Sequence, residues 1–335
     1  MTKTQEYTRL FEQFSTLKVL IIGDVMIDAY LWGNVNRISP EAPVPIVQVD
    51  KRANRLGGAA NVALNIKALG AEPIICSVIG KDVQSQTFTE LLETENIDTQ
   101  GIVYSKSRVT TTKFRVIGNN AQMLRVDEET EQNLNKEDEA ALVERIEQII
   151  KRNKVDVVIF QDYDKGVISK MIIEKTKHII QNKIPIAVDP KKKNFFDYTA
   201  VDLFKPNLKE LQEATNSQFK KEDHKSLRRE VKKLQNQLKS KYLFTTLSEL
   251  GVFISEKKEK SFDSLLIPAH PRSIADVSGA GDTVISVASL CLALETSKKT
   301  LAEVSNLAGG LVCEELGVIP IDKQKLLKET IKIYG

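Results

Sequence analysis

Three short stretches of the chain combine residue types that phosphate chemistry needs. The first is Asp276-Val-Ser-Gly-Ala-Gly-Asp282-Thr-Val, which leads into an apolar helix expected from Val284 to Leu294. Glycines at 279 and 281 let the backbone approach a ligand closely, and the free N–H groups at a helix start attract an anion. The stretch is suited to hold a phosphate. It lacks the Lys of a Walker A loop and does not continue as the GxGxxG fingerprint of dinucleotide-binding folds. Asp282 falls in the first helical turn, where the macrodipole favours its ionised form. A carboxylate beside a phosphoryl-binding loop can accept the proton of an attacking hydroxyl. The plainer account is helix-end electrostatics alone.

The second stretch is Arg55-Leu-Gly57-Gly58-Ala-Ala-Asn61-Val-Ala-Leu-Asn65-Ile-Lys-Ala-Leu-Gly70. Small residues opening a helix admit a polyol to the backbone, and Asn61 offers both a donor and an acceptor, as sugar hydroxyls require. A close helix–sheet contact ending in a Gly70 cap is the alternative. The third is Lys205-Pro206-Asn207-Leu-Lys-Glu210, whose Asn207 and Glu210 are three apart at a strand-to-helix junction and can face one site. Their oxygens suit a hydrated Mg²⁺ that keeps its waters and bridges phosphates. A simple helix entry would use the same residues.

The elements that must position these residues are legible as an alternation. Short β-branched runs at Val19–Ile22, Val155–Phe160, Ile184–Val188 and Leu203–Phe204 end in polar loops and read as buried parallel strands. Segments with helical spacing lie between them: Leu134 to Lys151, Lys170 to Gln181 behind a Ser169 cap, and the charged stretch Lys221 to Lys241. The fold class is therefore α/β, a doubly wound, mostly parallel sheet with helices on both faces. Ligands collect at the carboxyl ends of such strands, where Asp24, Asp28, Asp162, Asp189 and Asn207 fall. Two segments break the rhythm. Tyr30 to Asp50 and Gly101 to Asp127, the latter turning at Gly118-Asn119-Asn120, carry strand patterns without a helical stripe. They are expected to pack as a small β-strand lid over the site of one domain spanning residues 1–335. Apolar alternation on both lid faces predicts a homodimer joined through those segments.

Composition bounds the partners. The 335 residues carry 48 Lys plus Arg against 45 Asp plus Glu, a net charge of +3 that does not call for nucleic acid. The basic run 220–241 places Leu227, Val231, Leu234 and Leu238 at helical spacing and reads as the solvated face of an amphipathic helix. Cys76, Cys291 and Cys313 are far apart with no CxxC pair, which fits a reducing cytoplasm and neither a disulfide framework nor a zinc site. No secretory leader and no membrane span is apparent.

The three clusters occur in the order and spacing of the ribokinase-like, or PfkB-type, carbohydrate kinases, which the chain resembles over nearly its whole length. The likeness sharpens at Gly23-Asp-Val-Met-Ile-Asp28-Ala-Tyr and Arg37-Ile-Ser-Pro-Glu-Ala-Pro-Val-Pro45, which look like the heptose-7-phosphate kinase branch. Leu124-Arg125-Val-Asp127, Asp162-Tyr-Asp-Lys165-Gly, Val188-Asp-Pro-Lys191 and Thr246-Leu-Ser-Glu249-Leu-Gly251 agree further. Ser248 stands where many sugar kinases of the broader family have Gly.

The resemblance implies ATP as donor, Asp282 as catalytic base, and Gly279, Ala280 and Gly281 as an anion hole for the transferred phosphoryl group. It implies nucleotide contacts near Asn207, Thr246, Ser248 and Gly251, with Glu210 helping to hold Mg²⁺; a monovalent cation is left open. The sugar is expected between Asp24, Asp28, Gly57, Gly58, Asn61 and the lid, with Asp162 nearby. Lys165, Lys191, Arg37, Lys113, Arg115 and Arg125 are the unranked cationic candidates for a sugar 7-phosphate. The expected reaction is phosphorylation of the anomeric O1 of D-glycero-D-manno-heptose 7-phosphate, giving the 1,7-bisphosphate for nucleotide-activated heptose and surface glycans such as lipopolysaccharide. Bifunctional relatives carry a further nucleotidyl-transferring domain, and this chain is expected to perform the kinase step only. The alternatives are another sugar or sugar-phosphate kinase of the same fold, such as one acting on ribose or a fructose phosphate, or a catalytically silent sugar-phosphate-binding regulator.

Overall fold

In a computed structural model that describes residues 2–259 and 261–335, the chain runs α1 (Lys3–Phe14), β1 (Lys18–Gly23), β2 (Val25–Ile38), β3 (Pro45–Gly58), α2 (Ala59–Ala68), β4 (Glu72–Gly80), α3 (Val83–Thr94), β5 (Ile102–Ser105), β6 (Thr112–Gly118), β7 (Ala121–Glu128) and α4 (Lys136–Arg152). It continues with β8 (Val157–Gln161), α5 (Lys170–Ile180), β9 (Ile186–Asp189), β10 (Leu203–Phe204), α6 (Leu208–Thr215), α7 (His224–Leu238), β11 (Tyr242–Thr246), β12 (Val252–Lys257), β13 (Phe262–Ile267), α8 (Ala280–Ala293), α9 (Lys298–Val312) and α10 (Lys323–Tyr334).

Nine strands form the main sheet in the order β13-β12-β11-β10-β9-β8-β1-β4-β5. From β5 to β11 all pairings are parallel; β12 and β13 close the edge in antiparallel fashion. The β-branched runs produce this because successive side chains on a strand point to opposite faces and both faces are covered. In β1, Val19 and Ile21 join a core with α1, α2, α8 and α9, whereas Leu20 and Ile22 join a second core with α4, α5, α6 and α7. The helix predicted behind Ser169 is α5, and the Ser169 side chain accepts from the Ile172 amide. The basic run folds as α7, shorter than its charged stretch, with Leu227, Val231, Leu234 and Leu238 buried. No helix of the described residues is long and apolar enough to cross a membrane.

A second sheet of four strands has the order β3-β2-β6-β7. It draws on more of the chain at one place and less at another than the strand patterns predict. β2 and β3 begin and end at Val25 and Gly58, so the hairpin is rooted in the main body, while Ile102–Ser105 pairs with β4 as the edge of the main sheet. From the later segment only β6 and β7 enter the small sheet, joined through Asn119 and Asn120, both at positive φ (52° and 62°) as a tight hairpin turn requires. β2 passes from buried at Val25–Ala29 to exposed at Asn36–Ile38, so the sheet projects outward from its root.

Candidate active site

Among the described residues, eight of the ten α-helices carry a side-chain cap on an N-terminal amide. The two without one are α2, entered through Gly58, and α8, entered through Gly279. The first amide of each already has a backbone partner, Ala59 donating to the Asp24 carbonyl at 2.9 Å and Ala280 to that of Val277 at 3.3 Å, and the amides that follow are left for water or a ligand. These two helix starts meet. Asn61 in the first turn of α2 donates from Nδ2 to Oδ2 of Asp282 in the first turn of α8, at 2.7 Å. Asn65, one turn on, accepts from the Thr283 hydroxyl and the Ile321 amide, which locks the two helices together.

The glycines at these starts are required by geometry. Gly279 has φ 80°, and a side chain there would lie 3.1 Å from Asn61 Nδ2 and 3.2 Å from Val318. Gly58 has φ 60°, and a Cβ would come within 2.4 Å of the Asp24 carbonyl. Asp276 holds the phosphate-type loop in shape by accepting from the amides of Ser278 and Gly317.

Asp282 is 5% exposed. Its Oδ1 accepts from the Tyr163 hydroxyl at 2.7 Å and from Gln161 Nε2 at 3.0 Å. Burial is the main influence on its carboxyl group and raises it to about 6, against the opposing pull of the Asn61 and Tyr163 hydrogen bonds. Tyr163 is pushed well above its ordinary value by burial and by the Asp282 charge, so it remains a donor. Under Gly281 lies a buried pair, Lys205 Nζ to Asp189 Oδ2 at 2.9 Å; a Cβ on Gly281 would sit 3.7 Å from that ammonium. A buried lysine below uncapped helix amides adds to the attraction for a phosphoryl group.

The nucleotide candidates gather at one end. Asn207 caps α6 in a reciprocal box with Glu210, and it forms an isolated parallel bridge with Thr246, the last residue of β11. Ser248 adopts φ 55°, a conformation that glycine enters without the cost borne by other residues, which accounts for Gly being the commoner choice there. Gly251, at φ 91°, lies against the Ile267 carbonyl. Glu210 spends Oε2 on the cap and Oε1 on Lys191, at 2.7 Å. Among the described residues, no group of three or more His, Cys, Asp or Glu is arranged to hold a metal ion. Glu210 alone is therefore not a metal site. The donor set fits only an ion that arrives with phosphate and water oxygens, as Mg²⁺ does.

The sugar-side candidates divide. Asp28, 4% exposed, is paired with Arg115 at 2.5 Å and borders Gly57, whose Cβ would lie 2.6 Å from Asp28 Oδ2. Lys113 and Lys165 converge on Glu129 at 2.8 and 2.7 Å, and Arg125 pairs with Asp127. Four expectations are corrected. Asp24 is buried and spends its carboxylate on the amides of Tyr163, Lys165 and Val167, so it anchors that loop and is not free for a hydroxyl. Asp162 likewise accepts from Tyr198, Asn194 and the Asp164 amide. Lys191 belongs to the Glu210 side, with its ammonium 5.7 Å from the centre of the Tyr163 ring. Arg37 is exposed nine residues beyond Asp28 on β2, roughly 30 Å along the strand, and does not reach the site of its own chain.

Gln161, Tyr163, Asp189 and Lys205 complete the site without having been assigned roles from sequence. Gln161 and Asp189 are the last residues of β8 and β9, and Lys205 follows β10, so position at a strand's carboxyl end was the available signal. Tyr163 lies within the Asp162-Tyr-Asp-Lys165-Gly stretch that resembles the family, but nothing in that stretch singles it out.

Comparison with known proteins gives the family and the fold. The family model for pfkB family carbohydrate kinases matches residues 16–325. The chain is 38% identical over 314 residues to the Bifunctional protein HldE of Desulfatibacillum aliphaticivorans, covering 93% of this chain and 63% of the relative. It is 38% identical over 305 residues to that of Helicobacter pylori strain J99, covering 90% and 63%. The chain thus spans a little under two thirds of the length of these curated relatives. Among solved structures, phosphofructokinase-2 from Escherichia coli in complex with fructose-6-phosphate matches with TM-score 0.74 at 18% identity, over 93% of this chain and 98% of that one. Arabidopsis thaliana ribokinase complexed with ribose and ATP matches with TM-score 0.71 at 15% identity, over 93% and 99%. Both share the fold, the ribokinase-like α/β architecture.

Proposed function

The chain belongs to the pfkB family of carbohydrate kinases, phosphotransferases that act on a sugar hydroxyl, and we propose that it phosphorylates the anomeric O1 of D-glycero-D-manno-heptose 7-phosphate with ATP. The observation that carries this is the meeting of two uncapped helix N-termini at one buried carboxylate, Asp282. The α8 amides and Lys205 would receive the phosphoryl group; Gly57, Gly58, Asn61 and Asp28 would border the sugar. Asp282 takes the O1 proton as the new O1–P bond forms and the bond from phosphorus to the β,γ-bridging oxygen breaks, releasing ADP. ATP would lie toward Asn207, Thr246, Ser248 and Gly251. Glu210 would share Mg²⁺ with the triphosphate, and the ion would supply charge neutralisation there.

The 7-phosphate would compete with Glu129 for Lys113 and Lys165, beside Arg115. The heptose assignment is supported by Gly23 to Tyr30 and Arg37 to Pro45, which resemble the heptose-7-phosphate kinase branch. The small sheet would act as a lid that excludes water. Ile38, Val44, Val49, Met123, Leu124 and Val126 are exposed on it or its connecting loop, and they support a homodimer formed there. Three free, buried cysteines suit a reducing cytoplasm.

The test is a panel of heptose 7-phosphate anomers, fructose 6-phosphate and ribose, each mixed with ATP and followed by ADP release and phosphorus NMR. Heptose 7-phosphate should turn over fastest and gain a phosphate on O1. Preference for another sugar would overturn the substrate. Asp282→Asn should lose about 10²–10⁴-fold in kcat while nucleotide binding persists.

A further inference from the structure

Tyr163 and Gln161 surround the one acid to which the proposed chemistry assigns proton transfer. Resting on the reading of Asp282 as the base, we propose that Tyr163, aided by Gln161, is the positioning residue that fills Asp282 Oδ1 and leaves Oδ2 as the atom that takes the sugar proton.

Each oxygen of a carboxylate can accept two hydrogen bonds in its plane. Oδ1 of Asp282 receives two, from the Tyr163 hydroxyl at 2.7 Å and Gln161 Nε2 at 3.0 Å. Oδ2 receives one, from Asn61 Nδ2 at 2.7 Å. The remaining acceptor direction is on Oδ2, the oxygen tied to α2, whose uncapped start borders the sugar position. Gln161 reinforces the assignment. Its Nε2 also lies 3.3 Å from Asp189 Oδ2, while its buried Oε1 has no partner. The amide is turned to serve two carboxylates although that leaves its own oxygen unsatisfied.

Tyr163 is itself fixed at both ends. Its amide donates to Asp24 Oδ2 at 2.8 Å, its hydroxyl to Asp282, and the Lys191 ammonium sits over its ring. The anchoring acid on one side of the site and the base on the other are thus spanned by one residue. The charged groups acting on Asp282 are Asp189 from β9, Lys205 after β10, and Lys191 after β9. From α2 it meets the uncharged Asn61, and Glu303, the buried acid of α9, is engaged with Tyr7 and Lys299.

The Tyr163 hydroxyl favours the ionised carboxylate, so its removal should make Asp282 harder to ionise. In full-length Tyr163→Phe, kcat at saturating ATP and heptose 7-phosphate should fall about tenfold or more, and the acid limb of the kcat–pH profile should move up by about one pH unit. KM for both substrates should stay within about threefold, since the phenol is not assigned to binding. Should Tyr163→Phe fail to fold, Gln161→Met removes the other donor to the same oxygen and carries the same expectation. An acid limb at its original position, with or without a loss of kcat, would overturn the assignment. Asp282→Asn separates the two claims: a dead Asp282→Asn with an unmoved limb in Tyr163→Phe removes the positioning role alone, whereas an active Asp282→Asn removes the base as well.

Discussion

The chemistry of Asp282 is governed by how little water reaches it. Desolvation, partly offset by Asn61 and Tyr163, raises its carboxyl group to about 6, so the acid is poised close to neutrality. A carboxylate acting as the proposed base must be ionised, so lowering the pH through about 6 would protonate Asp282 and remove that function. We expect kcat at saturating substrates to fall below about pH 6, measured by coupled ADP release; Asp24, which burial also raises to about 6, titrates over the same range. A flat profile down to pH 5 would show that no buried carboxylate of this kind controls turnover. Asp282 was noticeable in the sequence as a candidate because its neighbours Gly279 and Gly281 are local to it. Tyr163 was not, because its place depends on Asp24, 139 positions earlier, capturing the loop at three amides. Asp24 itself misled for the same reason. Its position after β1 is where ligands gather, and only the fold shows that the carboxylate is already occupied.

Elements were legible where periodicity and caps agree, as at Ser169 before α5 and Asn207 before α6. The missing caps on α2 and α8 are the more informative features, and they become visible only when every helix start is compared. At α8 the backbone depends on Gly279, at φ 80°. Gly279→Ala places a non-glycine residue in the left-handed region, at about 1–2 kcal/mol, and presses a methyl group toward Asn61 and Val318. The expected outcome is a melting temperature lower by a few degrees and a kcat reduced at least tenfold, read by calorimetry and steady-state kinetics. Wild-type values for both would show that the conformation of this turn is unimportant. The limits of β5 escaped the sequence for a plain reason: four residues of strand pattern do not say which sheet they join, and Ile102–Ser105 pairs with β4 instead of β6.

At the scale of the molecule, the main sheet follows from buried β-branched runs, whereas the small sheet is recognisable only as an interruption of them. Its outer strand β7 is exposed along its length, with Leu124 and Val126 on the same face two residues apart. If that face joins two copies, wild-type protein should sediment as a dimer at micromolar concentration, and Leu124→Asp with Val126→Asp should sediment as a monomer. A monomeric wild type would remove the proposed interface.

The long hairpin of β2 and β3 has a mechanical consequence. Fourteen residues per strand make an arm roughly 40 Å long, fixed at Gly57 and Gly58 beside the α2 start and free at Ile38 and Pro45. By lever arithmetic, a tilt of about 5° at the fulcrum swings the far end by about 3.5 Å for an arm of that length. If the proposed sugar tilts this root, sub-ångström adjustments would be amplified into a stroke as large as an atom's diameter, and two molecules clasped by their arms would feel each other's strokes.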